Sequence, residues 1–114
     1  MTHSEPDGDA LLLMLSALAN PHRLRILAAL HQGSTYVSQL ARDLGVSRPL
    51  LHMHLQKLTE AGLVHSETTV EDDGKAHRYF TVTDFSMTIS PPVIAEAVRT
   101  LTQTTSARKG KNDD

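Results

Sequence analysis

The sequence contains no cysteine and no tryptophan among its 114 residues. Without cysteine, the chain can form neither disulfides nor thiolate metal sites, and thiol redox sensing is excluded with them. Other aromatic residues are few, with two tyrosines and two phenylalanines. No apolar run approaches the length of a membrane span, and no signal peptide is visible. We therefore expect a cytoplasmic protein that does not associate with membranes.

The chain also lacks an excess of positive charge, which bears on nucleic-acid binding. The formal net charge is −2. The acids are unevenly placed, because residues 1–9 carry three acids and no base, whereas residues 20–70 carry five basic residues and three acids. Salt screens charges beyond about 8–10 Å, so the local balance matters most near a phosphate backbone. The net charge is weak evidence against DNA binding and predicts modest non-specific affinity.

Length and composition support one domain with a modest core, since 39% of the residues are hydrophobic. Residues 1–8 and 104–114 are polar and charged, and we expect them to be disordered tails around a domain at 9–103. A core of this size would gain stability from burying more apolar surface in a dimer.

Residues 37–64 carry the most informative pattern, two helices separated by a tight turn. Gly45 suits the turn because positive φ costs glycine little. Ser47 can then cap a new helix, with Arg48 and Pro49 in its first turn. We predict helices at about 36–43 and 47–61, forming a helix-turn-helix whose second helix commonly enters a DNA major groove.

Two further helices are predicted before this motif. The first runs from Asp9 to Ala19 and is apolar on most sides, so it needs cover from more than one direction. The second is capped by Asn20, has Pro21 at its first position and ends at Gly33. Its expected core contacts are Leu24, Ile26, Leu27 and Leu30.

After the motif, the pattern changes to a hairpin and a final helix. Residues 63–70 and 76–83 read as strands joined by a turn at 71–75, where glycine provides the unusual dihedrals. A further short extended segment is expected at 85–89. Pro91 and Pro92 begin a last helix whose apolar face is formed by Val93, Ile94, Ala97, Val98 and Leu101.

This order of elements resembles that of the ArsR-type winged-helix transcriptional regulators. The resemblance is carried by SALANPHRLRIL at 16–27, LARDLGVSRPLLHMHLQKLTEAGLV at 40–64 and DGKAHRYF at 73–80. It implies a mainly α fold with a small β-hairpin wing (α+β), a winged helix-turn-helix with additional N- and C-terminal dimerisation helices. It also implies a homodimer that pairs through the first and last helices.

The sequence departs from the metal sensors that this family contains. Their cysteine motif on the third helix cannot exist here, and only Glu96 remains where some members carry histidine and acidic ligands on the last helix. We therefore expect no metal site and no cofactor, while a small-molecule effector at the dimer seam stays open.

The fourth helix offers a candidate DNA-reading face. Leu51, Leu55 and Leu58 mark its core side, and His54 falls on the same stripe. For Leu50 two positions stay open, one packed inward and one exposed near the groove. Arginine, glutamine and methionine can read guanine, adenine and the thymine methyl, and Ser47 at the helix N-terminus suits a phosphate. The predicted DNA contacts on this helix are Ser47, Arg48, Pro49, His52, Met53, Gln56 and Lys57.

The wing supplies the other predicted contacts, Lys75, His77 and Arg78, which would reach a minor groove or phosphates. The competing interpretation is a solvated hairpin tip, which Glu71, Asp72 and Asp73 favour because carboxylates repel phosphate.

The seven histidines invite a metal hypothesis, which their spacing disfavours. His52 and His54 point about 200° apart on a helix and cannot chelate one ion. His65 and His77 lie on paired strands and are candidate neighbours, a weak case for a metal site. His54 is expected to be a hydrogen-bonded core residue.

No phosphate-binding loop, nucleophile elbow or paired-histidine zinc helix occurs in the sequence, so we expect no catalytic residues and no enzyme. The sequence favours a homodimeric regulator that binds an inverted repeat in double-stranded DNA. The resemblance implies repression as the usual outcome for the family, and the sequence leaves repression and activation both open. The alternative is a winged-helix protein-interaction module, in which the fourth helix and the acidic wing dock another protein.

Overall fold

The computed structural model describes residues 7–102, and within this range it contains five helices and three strands. The predicted tails at 1–8 and 104–114 lie almost wholly outside the described residues, although Gly8 already belongs to the first helix. The elements are α1 (Gly8–Leu18), α2 (Pro21–His31), β1 (Thr35–Tyr36), α3 (Val37–Leu44), α4 (Arg48–Glu60), β2 (Val64–Val70), β3 (Ala76–Val82) and α5 (Pro91–Val98).

The chain divides into two compact units. The central unit, Met14–Ser86, contains the end of α1 and every element from α2 to β3. Of the described residues, 7–13 and 87–102 belong to the terminal unit, which contains the start of α1 together with α5.

The core of the central unit is built from helix stripes that meet one side of the sheet. Ile26, Leu40, Leu51 and Phe80 are each at most 2% exposed, and they come from α2, α3, α4 and β3. Leu24 does not belong to this core and is 52% exposed, so its predicted core contact is wrong. It lies two residues before Ile26, about 200° around the helix, and therefore on the opposite side.

The sheet has three antiparallel strands in the order β1-β3-β2. The predicted hairpin is confirmed within one residue, but β1 was not anticipated, because two residues are too few to show an alternating pattern. The predicted extended segment at 85–89 forms no strand in the described structure. Phe85 from this segment packs, partly buried, against the core instead.

Local chemistry fixes the helix boundaries of the central unit. The Asn20 side chain accepts hydrogen bonds from the backbone N–H groups of His22 (2.8 Å) and Arg23 (3.2 Å), which confirms the predicted cap of α2. Gly45 ends α3 in the left-handed conformation, with φ 68° and ψ 35°. Ser47 caps α4 by accepting from the Leu50 N–H at 3.3 Å. The helix-turn-helix is therefore formed as predicted.

In the terminal unit, the first turn of α1 lies against the end of α5. A Cβ on Gly8 would stand 2.2 Å from the carbonyl oxygen of Ala97, so only glycine permits this approach. The Gly8 N–H donates to the Thr100 hydroxyl at 2.8 Å, and the Thr102 N–H donates to the Asp9 carboxylate at 2.8 Å. The two ends of the described chain are thus joined by specific hydrogen bonds.

The predicted apolar face of α5 is only partly covered. Ala97 is buried, whereas Ile94, Val98 and Leu101 are 45%, 57% and 37% exposed. On the α1 side of the same unit, Leu12 and Leu13 are also exposed. Among residues 7–102, no helix has the length and apolar character needed to cross a membrane.

Candidate nucleic-acid interface

Helix α4 has a fully buried side and a fully accessible side. Leu51, His54, Leu55 and Leu58 are at most 4% exposed, as the spacing of the leucines predicted. At 100° per residue, Pro49, Met53 and Gln56 lie opposite this stripe. We call the accessible side the outer face, which consists of Arg48, Pro49, His52, Met53, Gln56 and Lys57, all exposed.

The outer face is chemically mixed. Arg48 stands in the first turn and Lys57 near the end, while Glu60 is the one acid of the helix. The Gln56 amide donates to the Glu60 carboxylate at 3.2 Å, a contact that is exposed and therefore easily exchanged for another partner. Leu50 is 37% exposed and lies at the edge of this face. The surface thus offers cationic, amide and apolar groups within one helix.

A partly buried arginine, Arg23, and the buried His54 form a polar contact on the inner side of α4. The Nε of Arg23, in α2, donates to the Ala17 carbonyl oxygen at 2.7 Å. A second guanidinium nitrogen of Arg23 lies 3.1 Å from His54 Nδ1. The His22 ring stacks on the His54 ring with 5.2 Å between centroids. Burial, followed by the charges of Arg23 and His22, lowers the pKa of His54 below its ordinary value of 6.5. The predicted hydrogen-bonded core histidine is confirmed.

Arg78 lies on the same side of the sheet as α4. Its Nε donates to the Ser66 hydroxyl at 3.1 Å, and its guanidinium stacks over the Phe80 ring at 5.1 Å. A groove of about 320 Å³ runs between β3 and α4, lined by Arg78, Phe80 and helix residues that include His52 and Gln56. Arg78 is therefore held beside the outer face rather than at the wing tip.

His77 occupies the other side of the sheet, because successive strand residues alternate sides. The centroid of its ring lies 5.4 Å from that of the Tyr36 ring. The Tyr36 ring also contacts the Tyr79 ring, with 5.5 Å between centroids. Burial and, after it, the Glu71 carboxylate raise the pKa of Tyr79. The structure thus separates His77 from Arg78, with which the sequence had grouped it, and places it in a half-buried aromatic cluster.

The wing tip is an ordered turn. The Glu71 N–H donates to the Lys75 carbonyl oxygen at 2.8 Å, and the Lys75 N–H donates to the Asp73 carboxylate at 2.9 Å. Gly74 provides the required positive φ of 85°. The Lys75 side chain is exposed among three carboxylates.

The strand register separates His65 from His77. His65 pairs with Thr81 and His77 pairs with Thr69, so the two histidines lie four positions apart along the hairpin, and the prediction that they are neighbours is wrong. No group of three or more metal-ligating side chains occurs in the part of the chain that the structure describes.

Sequence reasoning missed Arg23 and the cavity beside His54. A polar residue in a leucine-rich helix gave no sign of its partner, because both its acceptors come from other helices. The spacing of Leu51, His54 and Leu58 did reveal that His54 is buried.

Comparison with known proteins gives a consistent result. The sequence of residues 20–66 matches the family model described as "Bacterial regulatory protein, arsR family". An HTH-type transcriptional regulator of Methanocaldococcus jannaschii is 36% identical over 81 residues, covering 71% of this chain and 84% of the relative. CmtR of Mycobacterium tuberculosis is 47% identical over 64 residues, which is 56% of this chain and 54% of that regulator, so the chain spans about half of CmtR.

Solved structures agree with the sequence matches. A homodimeric winged helix-turn-helix DNA-binding domain of Mycobacterium bovis superimposes with a TM-score of 0.55 and 32% identity, covering 65% of this chain and 64% of that one. The helix-turn-helix, the hairpin wing and the sequence matches point to the same conclusion: the chain belongs to the ArsR family of bacterial transcriptional regulators.

Proposed function

We propose that this regulator is a homodimer that binds an inverted repeat in double-stranded DNA and represses transcription by blocking polymerase. The observation that carries the proposal is the outer face of α4, which is entirely exposed and lies opposite a fully buried stripe. The geometry suits insertion of the outer face of α4 into a major groove.

Each residue of the outer face has a role in this proposal. Arg48 donates twice to a guanine, Gln56 reads an adenine and Met53 contacts a thymine methyl group. Ser47 and the N-terminus of α4 bind a phosphate, and His52, Pro49 and Lys57 complete the contact surface. Arg78 reaches the adjacent backbone beside the groove, whereas the half-buried His77 does not take part. Lys75 contributes little, because the carboxylates at the wing tip repel phosphate.

Dimerisation through the terminal unit completes the proposal. The exposed apolar residues of this unit, Leu12, Leu13, Ile94, Val98 and Leu101, form a surface that a second copy would cover. The similar domain of Mycobacterium bovis is described as homodimeric, which supports a homodimer without indicating the surface that pairs. A two-fold dimer would place two α4 helices about one DNA turn apart.

The salt dependence of binding tests the proposal against a protein-interaction module. Fluorescence anisotropy with mixed genomic fragments should show affinity falling steeply between about 50 and 200 mM salt, because DNA binding releases counterions. Arg48→Ala should lower the affinity for preferred fragments by about 1–3 kcal/mol, and Arg99→Ala, directly after the end of α5, serves as the control. Absence of binding to any fragment at low salt would favour the interaction module.

A further inference from the structure

A cavity of about 270 Å³ lies behind the helix-turn-helix, within the central unit. Its apolar lining comes from three places: Ile26 of α2, Leu44 and Val46 on either side of the turn, and Leu51 on the inner side of α4. An apolar cavity of roughly 150 Å³ accommodates benzene. This cavity is therefore large enough for one ring with a short substituent.

The charged and titratable residues that line the cavity are all basic. His22, Arg25 and His54 line it, and no aspartate or glutamate does. Arg25 is exposed, so its guanidinium is free to turn towards a ligand without loss of core packing. His22 stands in the first turn of α2, where the helix dipole also favours negative charge. An anionic ligand group is complementary to this side, and a carboxylate matches the planar guanidinium best.

His54 adds a donor that lacks an acceptor. Because the Arg23 guanidinium can only donate, it fixes His54 Nδ1 as the acceptor, and the proton of the neutral ring resides on Nε2. His54 is 4% exposed, and its Nε2 has no hydrogen-bond partner among the described residues. A buried donor without an acceptor is costly. The His54 ring forms part of the cavity wall, but Nε2 itself is buried, so a ligand oxygen would reach it only if this wall moved.

We propose that this cavity is a binding site for a small carboxylate with a single ring. The ring would lie against Val46 and Leu51, and the carboxylate would pair with Arg25 beside the two histidines. Since the same walls include the helix-turn-helix turn and the inner side of α4, an occupant is expected to change the position of α4 and with it the DNA affinity. This link to DNA rests on the proposed function, whereas the binding site does not.

Titration of the free, full-length protein followed by NMR tests the site. Benzoate and phenylacetate are the probes, and benzyl alcohol is their uncharged counterpart. The carboxylates should shift the resonances of Val46, Leu51 and His54, with an affinity about tenfold higher than that of benzyl alcohol.

Paired variants locate the anion partner. Arg25→Gln should weaken binding of both carboxylates about tenfold and leave that of benzyl alcohol unchanged. Arg42→Gln is the matched control, since Arg42 is another exposed arginine of the central unit and does not line the cavity. If neither carboxylate shifts the cavity resonances, or if both variants bind them equally, the proposed site is overturned.

The effect on DNA is measured separately, with anisotropy in the presence and absence of benzoate. A changed DNA affinity supports the link between the two sites. Benzoate binding with unchanged DNA affinity overturns the link alone. If the protein binds no DNA, the proposed function fails, while the NMR result still decides the cavity.

Discussion

Single residues in this protein were predictable where the helix period alone decides their environment. The leucine spacing in α4 placed His54 in the core, and the structure confirms this with 4% exposure. Leu24 was misplaced because it was grouped with Ile26, although the two residues lie about 200° apart around α2. Arg23 was missed altogether, since its role depends on acceptors in α1 and α4 that no local pattern reveals.

The buried His54 makes stability depend on pH. Its pKa is lowered in the folded chain, so the unfolded chain binds the proton more tightly. Stability should therefore be greatest above the ordinary pKa of 6.5 and should fall as the pH decreases below that value. Urea unfolding at about pH 5.5 and about pH 7.5 measures this slope.

Replacing one histidine at a time by leucine distinguishes the contribution of His54 to this pH dependence from that of another histidine. His54→Leu should reduce the loss of stability between the two pH values, because the buried group no longer titrates. His52→Leu, two residues away on the exposed side, should keep the slope of the unaltered protein. Equal slopes for His54→Leu and the unaltered protein would show that His54 is not the group responsible.

At the scale of elements, the boundaries that the sequence predicted best are those with explicit capping chemistry. The structure confirms the N-caps Asn20 of α2 and Ser47 of α4, and it confirms that α3 ends at Gly45. Strand β1 was not predictable, because it exists only through pairing of Thr35 and Tyr36 with β3. The separation of His77 from Arg78 follows from strand alternation, but which side faces α4 required the tertiary fold.

Gly45 is a position where the backbone conformation alone favours glycine. Its φ of 68° is left-handed, and an added Cβ would meet nothing within 4 Å, so any cost comes from the backbone alone. Gly45→Ala should lower the free energy of unfolding by about 1–2 kcal/mol. Gly45→Asn should cost less, because asparagine tolerates this conformation. Equal losses for the two variants in urea unfolding would contradict this explanation.

For the whole molecule, the family and the winged fold were accessible from the sequence, because the matching segments span most of the described chain. The surface that pairs with a second copy was harder to predict from the sequence. An all-round apolar first helix predicted cover from a second subunit, but only the structure shows which α5 residues remain exposed.

The assembly is tested by placing a charge on the exposed apolar surface of the terminal unit. Val98→Glu should convert the proposed dimer into a monomer in sedimentation equilibrium, because burying an unpaired carboxylate is strongly unfavourable. Val70→Glu is the matched control, since Val70 is 72% exposed and lies on the wing. A monomeric unaltered protein, or a Val98→Glu variant that remains dimeric, would exclude this interface.

The central claim is that two copies of α4 read DNA together, and selection of bound duplexes from a random pool tests it most directly. We predict enrichment of an inverted repeat whose half-sites are centred about 10–10.5 base pairs apart, or a multiple of this spacing. Enrichment of no sequence after repeated selection at low salt would contradict the claim.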